Sequence, residues 1–154
     1  MPLTDLASVE AILPTLKASS KKQALQEICE RAAAVSGLSE RELYDSILQR
    51  ERLGSTGVGG GIAIPHCKLS SAKQIFGVFA RLEKPVDFDA QDGAPVDVIY
   101  MLVAPETAGA DHLKALARIA RVLRDPQLVK RLRATRDADA LFLLLTHQSN
   151  SHAA

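Results

Sequence analysis

Polar and apolar positions near the N-terminus repeat with the period of an α-helix. Two capping-box motifs, Ser20-x-x-Gln23 and Ser39-x-x-Glu42, precede the repeats and can satisfy the free amides of a helix N-terminus. The spacing predicts a first helix that stops at Gly37, then a second that has Arg50 in its last turn and Gly54 as a left-handed cap. The predicted apolar faces are Leu25, Ile28, Cys29, Ala32 and Val35, followed by Leu43, Tyr44, Ile47 and Leu48.

The middle of the chain contains two nearly continuous apolar runs, residues 75–82 and 96–104, bounded by prolines. Their β-branched and aromatic residues predict strands buried on both faces. Residues 61–64 and 86–88 are predicted to add short edge strands. Helical spacing returns after the second run, and Asp125-Pro126 is predicted to cap and start one of these helices. The helix-marking residues are Leu113, Leu116, Ala117, Ala120 and Leu123, then Leu128, Val129 and Leu132, then Leu141, Leu144 and Leu145.

Strands set between helices predict an α/β layered domain. The chain has 154 residues and is 47% hydrophobic, which suits one domain with one core. We therefore expect a single domain over residues 1–146. Residues 147–154, including His147 and His152, have no apolar pattern and are expected to form a disordered tail.

Charge and cysteine content exclude several classes of partner. The net charge is +1, with basic and acidic residues interspersed, so neither nucleic acid nor an anionic membrane is an expected partner. No run approaches the ~18 apolar residues of a membrane-spanning helix, and no signal sequence is apparent at the N-terminus. We expect a cytoplasmic protein in which Cys29 and Cys67 are reduced thiols.

A glycine-rich run leads directly to a histidine. Residues 53–69 are Leu-Gly-Ser-Thr-Gly-Val-Gly-Gly-Gly-Ile-Ala-Ile-Pro-His-Cys-Lys-Leu, in which the glycines allow positive φ and Pro65 fixes φ just before His66. A Walker motif would need Lys and Ser or Thr after the last glycine, and a dinucleotide motif would need a preceding strand. Neither condition is met, so the run is interpreted as a device that presents His66.

Three motifs make the chain resemble a known family over nearly its whole length. They are Glu51-Arg-Leu-Gly-Ser-Thr-Gly, Gly61-Ile-Ala-Ile-Pro-His-Cys-Lys-Leu and Asp111-His-Leu. The chain resembles the IIA domains of the bacterial sugar phosphotransferase system, of the mannitol/fructose type, and within them the nitrogen-regulatory branch. The resemblance implies a small mixed β-sheet flanked by helices. It also implies a phosphotransferase that carries a phosphohistidine and requires neither a cofactor nor a metal.

The resemblance assigns the acceptor role to His66, which would receive a phosphoryl group from an HPr-like phosphocarrier protein. It places His112 and Arg50 around that group by sequence context. A neutral imidazole is nucleophilic near pH 7, and the phosphorylated ring gains about two negative charges that nearby cations stabilise. The expected output is regulation of target proteins. Transfer to a sugar-specific IIB acceptor is the alternative, and a regulatory binding module switched by the charge on His66 is a third possibility.

Structural interpretations of the same residues stay open at this point. Arg50 can be a solvated helix-end residue that interacts with the helix dipole, and His112 can be a surface residue. A metal site at His66, Cys67 and His112 is disfavoured, because adjacent His-Cys lacks a zinc-site spacing and no fourth ligand is apparent. Lys68 is expected to be inert. Cys67 stands where the family commonly has glycine, which predicts a less free backbone after the histidine.

Overall fold

The computed structural model describes residues 3–151, with side chains described as far as residue 147. Short 3-10 turns at Leu3–Asp5 and Val9–Ala11 precede the first strand. The helices are α1 (Lys21–Ser36), α2 (Glu40–Arg52), α3 (Ala110–Val122), α4 (Pro126–Arg133) and α5 (Ala138–Ser151). The strands are β1 (Ile12–Leu16), β2 (Gly57–Gly59), β3 (Ile62–Ala63), β4 (His66–Leu69), β5 (Phe76–Val86) and β6 (Val96–Pro105).

The predicted helix starts are confirmed by their capping bonds. The hydroxyl of Ser20 accepts from the Gln23 amide, and that of Ser39 accepts from the Glu42 amide. Gly37 ends α1 in the left-handed conformation with φ of 78°. The predicted cap at Gly54 is displaced, because Leu53 is the C-terminal cap of α2.

The strands form one mixed sheet in the order β1-β5-β6-β3-β2, and β4 also pairs with β6. Strands β5 and β6 are antiparallel, whereas β1 runs parallel to β5. Strands β3 and β4 both run parallel to β6 and follow one another along it. The predicted α/β fold, with a small mixed sheet flanked by helices, is confirmed.

Strand β6 separates two hydrophobic clusters. Its residues Ile99, Met101 and Val103 belong to a cluster with α1 and α2. Its alternate residues Val98, Tyr100 and Leu102 belong to a cluster with α3, α4 and α5. This alternation confirms that the strand is buried on both faces, so the domain has three layers with the sheet in the middle.

Several elements differ from the prediction. Strands β1, β2 and β4 were not predicted, and β1 contains Pro14, which an edge strand tolerates. The edge strand predicted at residues 86–88 is absent, because Val86 is the last residue of β5. Helix α5 includes residues 147–151 of the predicted tail, and residues 152–154 lie outside the described residues. Within residues 3–151, no helix is long and apolar enough to cross a membrane.

The predicted apolar face of α3 matches its buried face only in part. Its buried residues are His112, Ala115, Ile119 and Val122, whereas Leu113 is exposed. The spacing of leucines and alanines predicts the helix correctly and includes the buried Leu123 and the half-buried Leu116 and Ala120. It also includes the exposed Leu113 and omits His112, because a histidine was not counted as a core residue. Consequently His112 points into the protein and a leucine is left on the surface.

Candidate active site

His66 is the first residue of β4, at a break between two strands that pair with β6. Before the break, Ile62 and Ala63 of β3 pair with Val98 and Ile99. After it, His66 pairs with Leu102. The break is bridged by the Leu102 amide, which donates to the Pro65 carbonyl at 2.9 Å. The backbone on both sides of the histidine is thus fixed to the central strand of the sheet.

The imidazole of His66 is held in one tautomer by its own loop. Its Nδ1 lies 2.9 Å from the carbonyl oxygen of Ile64. A carbonyl oxygen can only accept a hydrogen bond, so Nδ1 must carry the proton. The lone pair of the neutral ring is therefore at Nε2, and the half-buried side chain leaves that atom as the nucleophile.

Arg50 in the last turn of α2 contacts this nucleophilic nitrogen. Its Nε donates to Nε2 of His66 at 3.3 Å, and its Nη1 donates to the carbonyl of Gly54 at 2.8 Å. The guanidinium is thus directed at His66 by a residue of the loop that follows its own helix. The solvated helix-end alternative does not describe this arrangement, because both contacts are made to specific groups of the chain.

His112 lies across the site from Arg50, in the first turn of α3. Its ring centroid is 5.7 Å from that of His66, with an interplanar angle of 84°. The side chain is buried, and its Nδ1 has no hydrogen-bond partner among the described residues. Burial lowers the pKa of His112, and the charges of His66 and Lys68 lower it further. His112 is therefore a neutral imidazole at pH 7 with an uncommitted nitrogen.

A surface groove of about 420 Å³ connects these three side chains. Leu53 and Leu113 border it, and they are 84% and 69% exposed. Lys68 also lines the groove, and its positive charge helps to lower the pKa of His112. Neither exposed leucine was predicted from the sequence, because Leu53 follows a helix end and Leu113 was assigned to a buried face. Large exposed apolar side chains beside a reactive group indicate a surface that meets another protein.

Cys67 lines the base of the same groove, but its thiol is unsuited to the chemistry of the site. It is buried in the cluster beneath α1 and α2, where burial raises its pKa to about 11 despite a hydrogen bond with Ser46. The thiol is thus protonated at neutral pH, and a protonated thiol is a poor metal ligand and nucleophile. The expected restriction by Cys67 has no consequence, because this position is extended strand that any residue adopts. No three His, Cys, Asp or Glu residues in the described part of the chain form a group that could hold a metal ion.

Comparison with known families agrees with this geometry. The family model described as phosphoenolpyruvate-dependent sugar phosphotransferase system, EIIA 2, matches residues 5–148. The chain belongs to this IIA family. Family membership implies a phosphoryl carrier, and in this IIA domain the side chains of His66, Arg50 and His112 lie close together.

Several relatives of this IIA domain are nitrogen regulatory proteins. That of Bradyrhizobium diazoefficiens is 59% identical over 145 residues, covering 94% of this chain and 95% of the relative. The crystal structure of IIA-Ntr from Neisseria meningitidis has a TM-score of 0.86 and 34% identity, covering 90% of this chain and 95% of that one. The IIA mannitol structure from Escherichia coli has a TM-score of 0.76 at 24% identity, covering 90% and 98%, and supports the fold alone.

The lowered pKa of His112 predicts a pH dependence of stability for this IIA domain. Below about pH 6.5 an unfolded histidine binds a proton that the folded His112 site resists, so unfolding takes up protons. The free energy of unfolding should therefore fall as the pH falls from 7 to 5. Urea unfolding of wild type, His112→Gln and the exposed-histidine control His147→Gln measures it. Wild type and the control should lose more stability than His112→Gln, and equal losses in all three would contradict the prediction.

Proposed function

We propose that this IIA domain accepts a phosphoryl group on Nε2 of His66 from a phosphohistidine of an HPr-like carrier protein. The observation that carries the proposal is the contact between Nδ1 of His66 and the Ile64 carbonyl. It assigns the ring proton to Nδ1 and leaves a lone pair at Nε2, the atom that faces Arg50. A histidine that accepts a phosphoryl group on Nε2 needs this tautomer before the donor arrives.

In the proposed step a bond forms between Nε2 of His66 and phosphorus as the donor's nitrogen-phosphorus bond breaks. The electron pair of the broken bond returns to the donor imidazole, and Nδ1 of His66 keeps its proton against the Ile64 carbonyl. Attack requires the Nε2 lone pair, so the hydrogen bond that Arg50 Nε donates to Nε2 must first break. The present contact is 3.3 Å, which is long for a hydrogen bond, so breaking it has a small cost.

Arg50 and His112 are proposed to stabilise the transferred group. Phosphoryl transfer depends chiefly on positioning and on charge stabilisation, and a guanidinium presents a planar set of donors to phosphate oxygens. His112 supplies an imidazole beside the acceptor that has one nitrogen without a partner, and it lies near the N-terminus of α3, which favours anions. A dianion at His66 also favours the protonated form of His112, which adds positive charge after transfer.

The carrier protein is proposed to dock on the groove around His66. Leu53 and Leu113 give the rim an apolar surface, and Lys68 adds a positive charge beside it. A phosphohistidine protein must bring its own imidazole within bonding reach of Nε2, so the two proteins have to meet face to face at this point. The same face would meet any protein that recognises the phosphorylated or unphosphorylated state.

The output is proposed to be regulation, with the charge on His66 as the signal. Similarity to nitrogen regulatory proteins along nearly the whole chain supports this output. Added phosphoryl charge makes or breaks protein interfaces, so a carrier can also act as a sensor. The alternative output is transfer to a sugar-specific IIB protein, which is supported by the description of the matching family as part of a sugar phosphotransferase system.

A discharge experiment separates these two outputs. The phosphorylated domain is mixed with purified fructose-type and mannitol-type IIB proteins, and the phosphate remaining on His66 is followed over time. For a regulatory protein we expect the phosphate to persist as long as it does with no acceptor, and to return to the HPr-like carrier when that protein is added. Return of the phosphate to the carrier is the positive control, because it shows that the phosphate on the domain can still be transferred. Rapid discharge to a IIB protein would replace regulation with transport as the output.

A further inference from the structure

Glu51 is a buried carboxylate directly beside Arg50 in the last turn of α2. The residue is only 8% exposed, although a charged residue at a helix end is ordinarily solvated. Its carboxylate accepts from the backbone amide of Thr56 at 3.1 Å and from the hydroxyl of the same residue. Glu51 therefore closes the loop of residues 53–56 back onto the helix that carries Arg50.

Thr56 extends this contact to the acceptor histidine. Its carbonyl accepts the amide of Ile64 at 3.0 Å, and the carbonyl of Ile64 is the group that holds Nδ1 of His66. A continuous series of hydrogen bonds thus runs from the Glu51 carboxylate through Thr56 and Ile64 to the imidazole. It ends on the atom that determines which nitrogen of His66 is the nucleophile.

A second branch runs from the same residue to Arg50. The carbonyl of Glu51 accepts the Gly54 amide at 3.1 Å, and the carbonyl of Gly54 accepts Nη1 of Arg50. The position of Gly54 is therefore fixed from both sides of the loop, by Glu51 before it and by Thr56 after it. The bond to the Gly54 amide is made by the Glu51 backbone, whereas the Glu51 side chain acts on this loop through Thr56. Because Gly54 orients the guanidinium, one residue supports both Arg50 and His66.

Lys21 makes the burial of this carboxylate possible. Its Nζ lies 2.9 Å from Glu51, and only 4% of the Glu51 side chain is exposed. The ammonium also lies 4.5 Å from the centre of the Phe88 ring. A buried ion pair offers little net stability compared with apolar residues of similar size, so stability alone is a weak explanation for it. A role in fixing the geometry of the adjacent site explains it better.

We propose that Glu51 is a positioning residue for phosphoryl transfer. It contacts neither His66 nor the transferred group. Its carboxylate holds Thr56, which bonds Ile64 and so fixes the His66 tautomer, and which also ends the loop whose Gly54 carbonyl orients Arg50. The proposal rests on the acceptor role proposed for His66. Its distinguishing consequence is that loss of the Glu51 carboxylate alters the tautomer of His66 even in unphosphorylated protein.

The test compares Glu51→Ala, Glu51→Gln and a matched control, Glu83→Ala. Glutamine keeps an oxygen that can accept the Thr56 amide, whereas alanine removes the acceptor. Glu83 is a partly buried, ion-paired glutamate on β5 that does not line the groove, so its truncation reports on the loss of an ion pair alone. Nitrogen-15 NMR of the histidine rings gives the His66 tautomer, and rapid quenching gives the limiting rate of transfer and the half-saturating carrier concentration.

In Glu51→Ala we expect a mixture of His66 tautomers in place of the Nδ1–H form. The limiting transfer rate should fall about tenfold, as expected for loss of a hydrogen bond to a charged group, with little change in the half-saturating concentration. Glu51→Gln should recover most of the rate and the tautomer, and Glu83→Ala should match wild type in both. A folded Glu51→Ala with the wild-type tautomer and rate would overturn the proposal.

Two further outcomes remain informative. If Glu51→Ala does not fold, Thr56→Val removes only the hydroxyl contact, and it should shift the tautomer in the same direction by a smaller amount. An unchanged tautomer in folded Thr56→Val would then count against the proposal. If wild-type His66 accepts no phosphoryl group, the proposed function is wrong. The proposal that Glu51 positions the His66 ring is still tested in that case, because the tautomer is measured on unphosphorylated protein.

Discussion

Replacing His66 with alanine should abolish phosphorylation of the chain by a phosphorylated HPr-like carrier. The loss should be complete, because the variant lacks the atom to which phosphorus bonds, and no neighbour can supply it. His112 is neutral but buried, and burial of Cys67 raises its pKa to about 11. Wild-type protein should take up one phosphate that is labile in acid and stable in base. Incorporation of labelled phosphate, followed by acid and base treatment, measures this.

The matched control for the acceptor is His147→Ala, which removes an exposed histidine from α5. It should be phosphorylated to the same extent as wild type. A phosphate that survives acid and maps to Ser55 or Thr56 would show that the glycine-rich run presents a hydroxyl acceptor instead. Undiminished, acid-labile phosphate in His66→Ala would place the acceptor on another histidine.

Replacing Arg50 with alanine should slow transfer without removing the acceptor. Losing a charge-assisted contact to phosphate costs about 1.5 to 3 kcal/mol, which corresponds to roughly 10- to 150-fold in rate if the contact is made mainly in the transition state. Arg50→Lys should recover part of this, because an ammonium supplies charge without the planar donor set. Quench-flow transfer rates with saturating carrier measure both effects.

Arg52→Ala is the matched control for Arg50, since it removes the same charge from the same helical turn at an exposed position. It should transfer at close to the wild-type rate. A long-range effect of charge on carrier docking would raise the half-saturating carrier concentration of both variants alike, with little change in the rate at saturating carrier. Equal rates in folded Arg50→Ala and wild type would return Arg50 to the role of a helix-end residue.

The helices and the long strands could be predicted because the capping residues and apolar runs that determine them lie within a few residues of one another. Ser20 and Asp125 cap helices through amides two or three positions away, as their motifs predicted. The long apolar runs of β5 and β6 predicted buried strands for the same reason. Strand β4 was not predicted because it forms by pairing with residues 36 positions along the chain, from His66 to Leu102, and its four residues carry little β-sheet pattern of their own.

Candidate site residues could be predicted where they belong to a recognisable sequence motif. They could not be predicted where their role depends on burial by distant segments of the chain. His66, Arg50 and His112 were proposed as site residues by resemblance, and their side chains lie close together in the structure. Glu51 was not found, although it stands in one of the quoted motifs, because its burial depends on Lys21 and Thr56 from other segments. The exposure of Leu113 was also missed, since a periodic pattern reports the existence of a helix more reliably than the face it buries.

The mounting of the acceptor on a strand break has a consequence for unfinished or damaged chains. His66 acquires its orientation only after β4 has joined β6, and Arg50 and His112 arrive from helices on opposite sides of the sheet. Nascent chains, truncated products and partly unfolded molecules therefore lack the assembled acceptor. Under the proposed function, a phosphate on His66 would mark only completed molecules, and a protein that recognises it would respond to folded copies alone.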